Sequence, residues 1–398
     1  MKNLLLATAS TALMASGAMA AGHAEEVKIG VLLSFTGPIE SLTPAMAAGA
    51  EMAIAEVSGN ENFLGGSTAV PVRADATCVD ASAATAAAER LITGDGVKGI
   101  MGADCSGVTT AALSNVAVPN GIVMISPSAT SPALTTVDDA GLFFRTAPSD
   151  ARQGEVLAEI MIEKGIEEAA VTYTNNDYGK GFADAFQAAY EAAGGTVTLS
   201  TAHEDGKADY SAEVGALASA GGDALVVLGY VDQGGAGVIQ GALDTGAFDT
   251  FALGDGMIGD SLTDRFGSDI DGTIGTAPGS DSDGGAVFGE LASAAGIDGT
   301  SVYAGESYDA AALILLAMAA SGSSDAADYK GEIMGIANAP GEPIMPGELA
   351  KALQIIADGG EVDYVGASAV ELVEPGEAAG SYSEFLVDGG ALTVVGYR

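Results

Sequence analysis

Residues able to do covalent or metal chemistry are scarce: two His and two Cys stand among 398 residues, with no Trp. Structural zinc needs about four Cys or His ligands, and a His-centred triad needs a well-placed imidazole. Only His203 is a candidate, since His23 adjoins an N-terminal leader pattern. The glycines of GGAGVIQG (234–241) follow a strand-like run, yet Gly235, Gly237 and Gly241 miss the G-x-G-x-x-G spacing of a dinucleotide loop by one residue. No H-E-x-x-H, G-x-S-x-G or P-loop pattern occurs. The acidic runs SDIDG and SDSDGG lack the Glu that closes an EF-hand loop. No catalytic residue, metal or cofactor is expected.

Charge narrows the partners. With 54 Asp plus Glu against 14 Lys plus Arg, the formal net charge is −40. Phosphate recognition needs clustered cations, so nucleic acid and anionic membrane surfaces are excluded as partners. Hydrophobic residues make up 48% of the chain and the mean hydropathy is +0.31, so the acidity does not imply disorder.

Residues 1–20 read as an export signal: Lys2, an apolar stretch from Leu4 to Met14, then Ala18-Met19-Ala20 as an A-x-A cleavage pattern. A buried N-terminal helix is the plainer alternative. No Cys follows the leader, and no later segment reaches the roughly 18 apolar residues of a membrane span. An exported monomer without a membrane anchor is expected. Two Cys in an oxidising compartment suggest a disulfide, Cys78 to Cys105, worth about 3 to 4 kcal/mol by loop closure. Two buried free thiols are the alternative.

The elements that would position a site alternate along the chain. VKIGVLL (27–33) is the continuous apolar run of a strand buried on both faces, followed by a helical pattern through Met46, Ala50 and Ile54. VPVRAD, VKGIMG and GIVMIS continue the alternation to residue 126. A second series starts after FFRTAPSD (143–150), with AAVTYT, DALVVLG and TFALGD as strands. Alternating β and α segments specify parallel sheets flanked by helices, here in two lobes. Helices beyond Pro278 have no strands of their own and must return to the first lobe. The expected division is 27–146 plus 278–360 for lobe 1 and 147–277 plus 361–398 for lobe 2, joined by a three-segment hinge.

With these motifs in order, the chain resembles the type I periplasmic solute-binding proteins of the leucine/isoleucine/valine-binding branch. The resemblance rests on IGVLLSFTGP (29–38), GADCSGVTT (102–110), MISPSATSPALT (124–135), FFRTAPSD, NNDYGKG (175–181), VLGYVDQG (227–234), GDG (254–256) and EVDYVG (361–366). It implies a two-lobed α/β clamp feeding an ABC permease. It further implies that Ser106 and Thr130 hold a ligand α-carboxylate, that the Ser128 carbonyl accepts from the ligand ammonium, and that Tyr178, Tyr230 and Asp255 close from the second lobe. Strand ends preceding helices do attract anions, which agrees. Helix capping for Ser106 and Thr130, lobe packing for the tyrosines and turn formation for Asp255 are the plainer alternatives.

Two positions depart from the branch. Asp104 stands where branched-chain binders often carry an aliphatic residue, and Leu42 where many carry an aromatic. Together they imply a roomier or more polar side-chain subsite, unless Asp104 is taken by a backbone N–H. The resemblance implies an amino-acid ligand, branched-chain or related. A polar or cationic amino acid, another small amine or carboxylate, or a role as ligand-sensing partner of a signalling receptor are the alternatives.

Overall fold

The computed structural model describes residues 25–398; the export signal read over residues 1–20 lies outside them. Five strands open the chain: β1 (Glu26–Leu33), β2 (Thr68–Asp75), β3 (Gly99–Gly102), β4 (Met124–Ser126) and β5 (Phe143–Arg145). All pair in parallel, in the order β2-β1-β3-β4-β5. The second series repeats the pattern with β6 (Glu168–Thr174), β7 (Thr196–His203), β8 (Ala224–Leu228), β9 (Phe251–Leu253) and β10 (Ile274–Pro278), in the order β7-β6-β8-β9-β10. The repeated order reflects the repeated sequence pattern: continuous apolar strands need both faces covered, and crossover helices supply the cover.

The helix Ala304–Ser321 shows how Ala and Gly serve packing. It is buried from Ala304 to Met318 apart from Gly305, and lies against the helix Thr43–Val57. A Cβ on Gly49 would stand 2.2 Å from the Ala304 carbonyl oxygen, so the two backbones touch where a side chain would separate them. The helix is first-lobe material, as its return after Pro278 requires. No single helix among the described residues is long and apolar enough to cross a membrane.

The last crossing departs from expectation. Strand β11 (Glu342–Ile344) pairs with β12 (Val362–Tyr364) in a small separate sheet, and β13 (Leu372–Val373) and β14 (Glu377–Ala378) extend the first sheet through β5. Only β15 (Tyr382–Asp388) and β16 (Ala391–Tyr397) join the second sheet, antiparallel to β10. The final transfer therefore falls at 379–381 rather than at 361. Glu377 explains the displacement: its carboxylate binds the buried Arg145 guanidinium of β5 at 2.5 Å, an ion pair that ties this segment to the first lobe. The segments around 146–149, 278–282 and 379–381 connect the lobes.

Cys78 and Cys105 form a disulfide, and no free cysteine remains among the described residues. It joins the loop after β2 to the residue preceding the helix Ser106–Ala112, at the rim of the cleft.

Candidate functional site

The C-terminal ends of the two sheets face each other, where open α/β sheets place ligands. On the first lobe, Ser106 is the first residue of its helix and Cys105 occupies the cap position, so Ser106 is not a helix cap. Its hydroxyl oxygen accepts from Ser131 N at 3.1 Å. Thr130 is not a cap either: its hydroxyl is buried and has no hydrogen-bond partner among the described residues. Ser128 donates through its hydroxyl to the Asp104 carbonyl at 3.1 Å. Arg145 holds this loop in shape by donating to the carbonyls of Ala129 and Ser131 at 3.0 and 2.9 Å.

Asp104 reaches the cavity wall, but its carboxylate is already engaged. It accepts from Ser34 N at 2.6 Å, Ser34 Oγ at 2.7 Å and Cys105 N at 2.9 Å. Burial pushes its carboxyl above the ordinary range, and these donors hold the shift down. Its geometry is that of a clasp between β1 and β3, not of an acid free to bind a ligand cation. Leu42 is buried at the same wall and crosses to the second lobe; a Cβ on Gly259 would lie 2.9 Å from its Cδ2.

From the second lobe, Tyr178 and Tyr230 stack with ring centres 5.2 Å apart. Tyr178 donates to Asp255 Oδ1 at 2.8 Å, and its oxygen accepts from Gly256 N at 3.1 Å. The GDG turn permits this approach, because a Cβ on Gly254 would stand 2.7 Å from the Phe182 ring and one on Gly256 2.6 Å from the Gly229 carbonyl. Asp255 is buried, and burial raises its carboxyl pKa while the tyrosine donors lower it.

Ser106, Ser128, Tyr178, Tyr230, Asp255, Leu42 and Asp104 all line one cavity between the lobes, with Thr130 beside it. Two further residues lie at or near the cavity. Tyr303, from the first lobe, also lines the cavity and donates to Asp255 Oδ2. It precedes the helix Ala304–Ser321 in a left-handed conformation with φ +68°, which no sequence pattern announces. Asp150 opens the helix Asp150–Glu163; it is fully buried, and among the described residues neither carboxylate oxygen has a hydrogen-bond partner. Burial, then the charge of Asp255, pushes its carboxyl well above the usual range, countered in part by the nearby Thr130 hydroxyl and Arg145. The signal for Asp150 was present in FFRTAPSD, which reads in sequence as the break between lobes.

The arrangement sets hydroxyl and N–H donors of the first lobe opposite the buried carboxyl of Asp255, with the buried Asp150 beside Thr130. Two lobes, three connections and a cavity at the sheet ends define a hinged ligand-binding clamp.

Comparison with known proteins agrees with that class. The chain belongs to the periplasmic binding protein family, whose model matches residues 26–344. A Leu/Ile/Val-binding protein homologue of Brucella melitensis is 34% identical over 229 residues, covering 57% of this chain and 60% of that relative. The match thus spans less than two thirds of that relative's length. A Leu/Ile/Val-binding protein of Rhizobium johnstonii is 31% identical, covering 64% and 68% of the two chains. Among solved structures, the leucine-binding protein LivK of Thermotoga maritima superposes with a TM-score of 0.78 at 23% identity, over 93% of this chain and 98% of that one. The last likeness is one of fold. The family is one of binding proteins rather than enzymes.

Proposed function

We propose that this protein is the substrate-binding component of an ABC importer and captures an amino-acid zwitterion by hinge closure. The observation that carries the reading is the opposition, within one cavity, of Ser106 and Ser128 to the buried Asp255. The ligand carboxylate docks on the donors at the start of the Ser106–Ala112 helix and on Thr130, whose hydroxyl has no hydrogen-bond partner among the described residues. Its ammonium meets Asp255 and the Ser128 carbonyl. Closure brings the stacked Tyr178 and Tyr230 over the ligand, excludes water and strengthens each polar contact.

The names of the relatives point to an aliphatic amino acid. A second reading is favoured by Asp150: a second buried acid that feels the charge of Asp255, with no hydrogen-bond partner on its carboxylate among the described residues, suits a ligand that carries a second cationic group. Export to the periplasm through cleavage near Ala20, and docking of the closed clamp on permease subunits, belong to the same proposal. Calorimetry with leucine, valine, arginine and glutamine tests it. Micromolar binding corresponds to about −8 kcal/mol. Failure of all four would overturn the amino-acid assignment, and arginine alone would select the second reading.

A further inference from the structure

Closure of the clamp brings two lobes of an acidic chain together, and no ion pair assists it. The net charge is −40. Every salt bridge among the described residues joins two groups of the same lobe. Hydrogen bonds span the cleft instead. The bond from Tyr303 to Asp255 lies inside the cavity, and others lie at its rim.

Asp232 makes two of the rim bonds. It belongs to the second lobe, between β8 and the helix Gly234–Thr245, two residues after Tyr230. Its Oδ2 accepts from Ser41 N at 2.8 Å, and its own N–H donates to the Pro38 carbonyl at 3.1 Å. Both partners lie in the first-lobe turn between β1 and the helix Thr43–Val57. Ser41 Oγ adds a contact of 3.3 Å to Ser261 Oγ of the second lobe. Ile39 and Leu42, from the same turn, line the ligand cavity, and Asp232 does not. The clasp grips the segment that carries apolar cavity wall while its own carboxylate stays outside. Elsewhere on the rim, Ser131 Oγ donates to the Asp177 carbonyl at 3.0 Å, a bond between neutral groups. Asp232 is thus the charged side chain of the rim bonds.

We infer that Asp232 is a positioning residue for ligand capture: its carboxylate clasps the Pro38–Ser41 turn across the cleft and sets how readily the clamp closes. The inference rests on the clamp reading proposed above. Opening parts the lobes, so both Asp232 bonds are made only on closure. A group that favours the closed state without touching the ligand tightens the binding of every ligand by one common factor. Asp232 therefore governs affinity and leaves selectivity to the cavity wall. For one charge-assisted bond at a half-exposed rim the factor is roughly tenfold.

The test compares wild type, Asp232→Asn and Asp232→Ala by small-angle X-ray scattering without ligand and by calorimetry with leucine, valine, arginine and glutamine. Asparagine keeps an oxygen able to accept from Ser41 N, whereas alanine keeps only the main-chain bond to Pro38. The expected result for Asp232→Ala is a larger ligand-free radius of gyration and a roughly tenfold loss of affinity, equal for every ligand that the wild type binds. Asp232→Asn should stay close to wild type in both. An unchanged radius together with unchanged affinities overturns the clasp. So does a loss that differs between ligands, which would make Asp232 a ligand contact. Failure of the wild type to bind any of the four overturns the amino-acid reading alone. The ligand-free radius then decides the clasp: a larger value for Asp232→Ala supports it, and an equal value overturns it.

Discussion

Tyr303 of the first lobe donates its phenolic proton to Asp255 of the second, so a carboxylate that lines the cavity is also a tie between the lobes. Tyr178 occupies the other oxygen from its own lobe. Asp255 is thereby fixed in direction before any ligand arrives, which lowers the ordering cost of binding.

Tyr303→Phe keeps the ring and removes only the tie. The closed arrangement loses a charge-assisted bond worth about 1.5–3 kcal/mol. The ligand-free protein should open, seen as a larger radius of gyration by small-angle X-ray scattering. An unchanged radius would show that the bond does not govern closure.

Asp255→Ala removes the carboxylate and leaves a ligand ammonium buried without a partner. Breaking a buried pair costs about 3–5 kcal/mol, so affinity for an amine-bearing ligand should fall at least a hundredfold by calorimetry. Retained affinity would remove Asp255 from the site.

Asp150→Asn separates the two ligand readings. An aliphatic amino acid should bind with nearly unchanged affinity, while a cationic one should lose tenfold or more. The same variant reports on stability. The folded-state pKa of Asp150 is raised, so ionisation opposes folding, and stability is lost as pH rises from the unfolded value towards the folded one. Ligand-free Asp150→Asn should therefore melt higher than wild type at pH 7 and show little gain at pH 4.

His203 titrates in the opposite sense. Burial lowers its pKa from 6.5 to about 4, and its Nδ1 shares a 2.8 Å hydrogen bond with Thr172 Oγ1. A depressed histidine contributes stability that is present above pH 6.5 and lost as pH falls to 4. The contribution is about 3 kcal/mol at most. Urea unfolding of wild type and His203→Asn at pH 7 and pH 4.5 checks this: the wild-type advantage should shrink at the lower pH.

Much of this protein is legible in one dimension. Apolar runs such as VKIGVLL and DALVVLG, separated by helical patterns, specify buried parallel strands, because such runs satisfy only a sheet covered on both faces. The chain positions of Ser106, Ser128, Tyr178, Tyr230 and Asp255 relative to strand ends place them at one cleft, since every parallel strand points its C-terminal end the same way. Local pattern also carries the charge that excludes polyanionic partners.

Tertiary structure decided what depends on contacts between distant residues. Hydrophobic period does not say which sheet a short strand joins, so the last crossing waits on the Arg145–Glu377 pair, whose hydrogen bonds join residues 232 positions apart. Asp104 at the cavity wall is held by Ser34, 70 residues away, whose backbone N–H and hydroxyl donate to the carboxylate. Asp150 and Tyr303 stand out only through burial, because packing removes their water and, for Tyr303, supplies Asp255 of the other lobe as a partner.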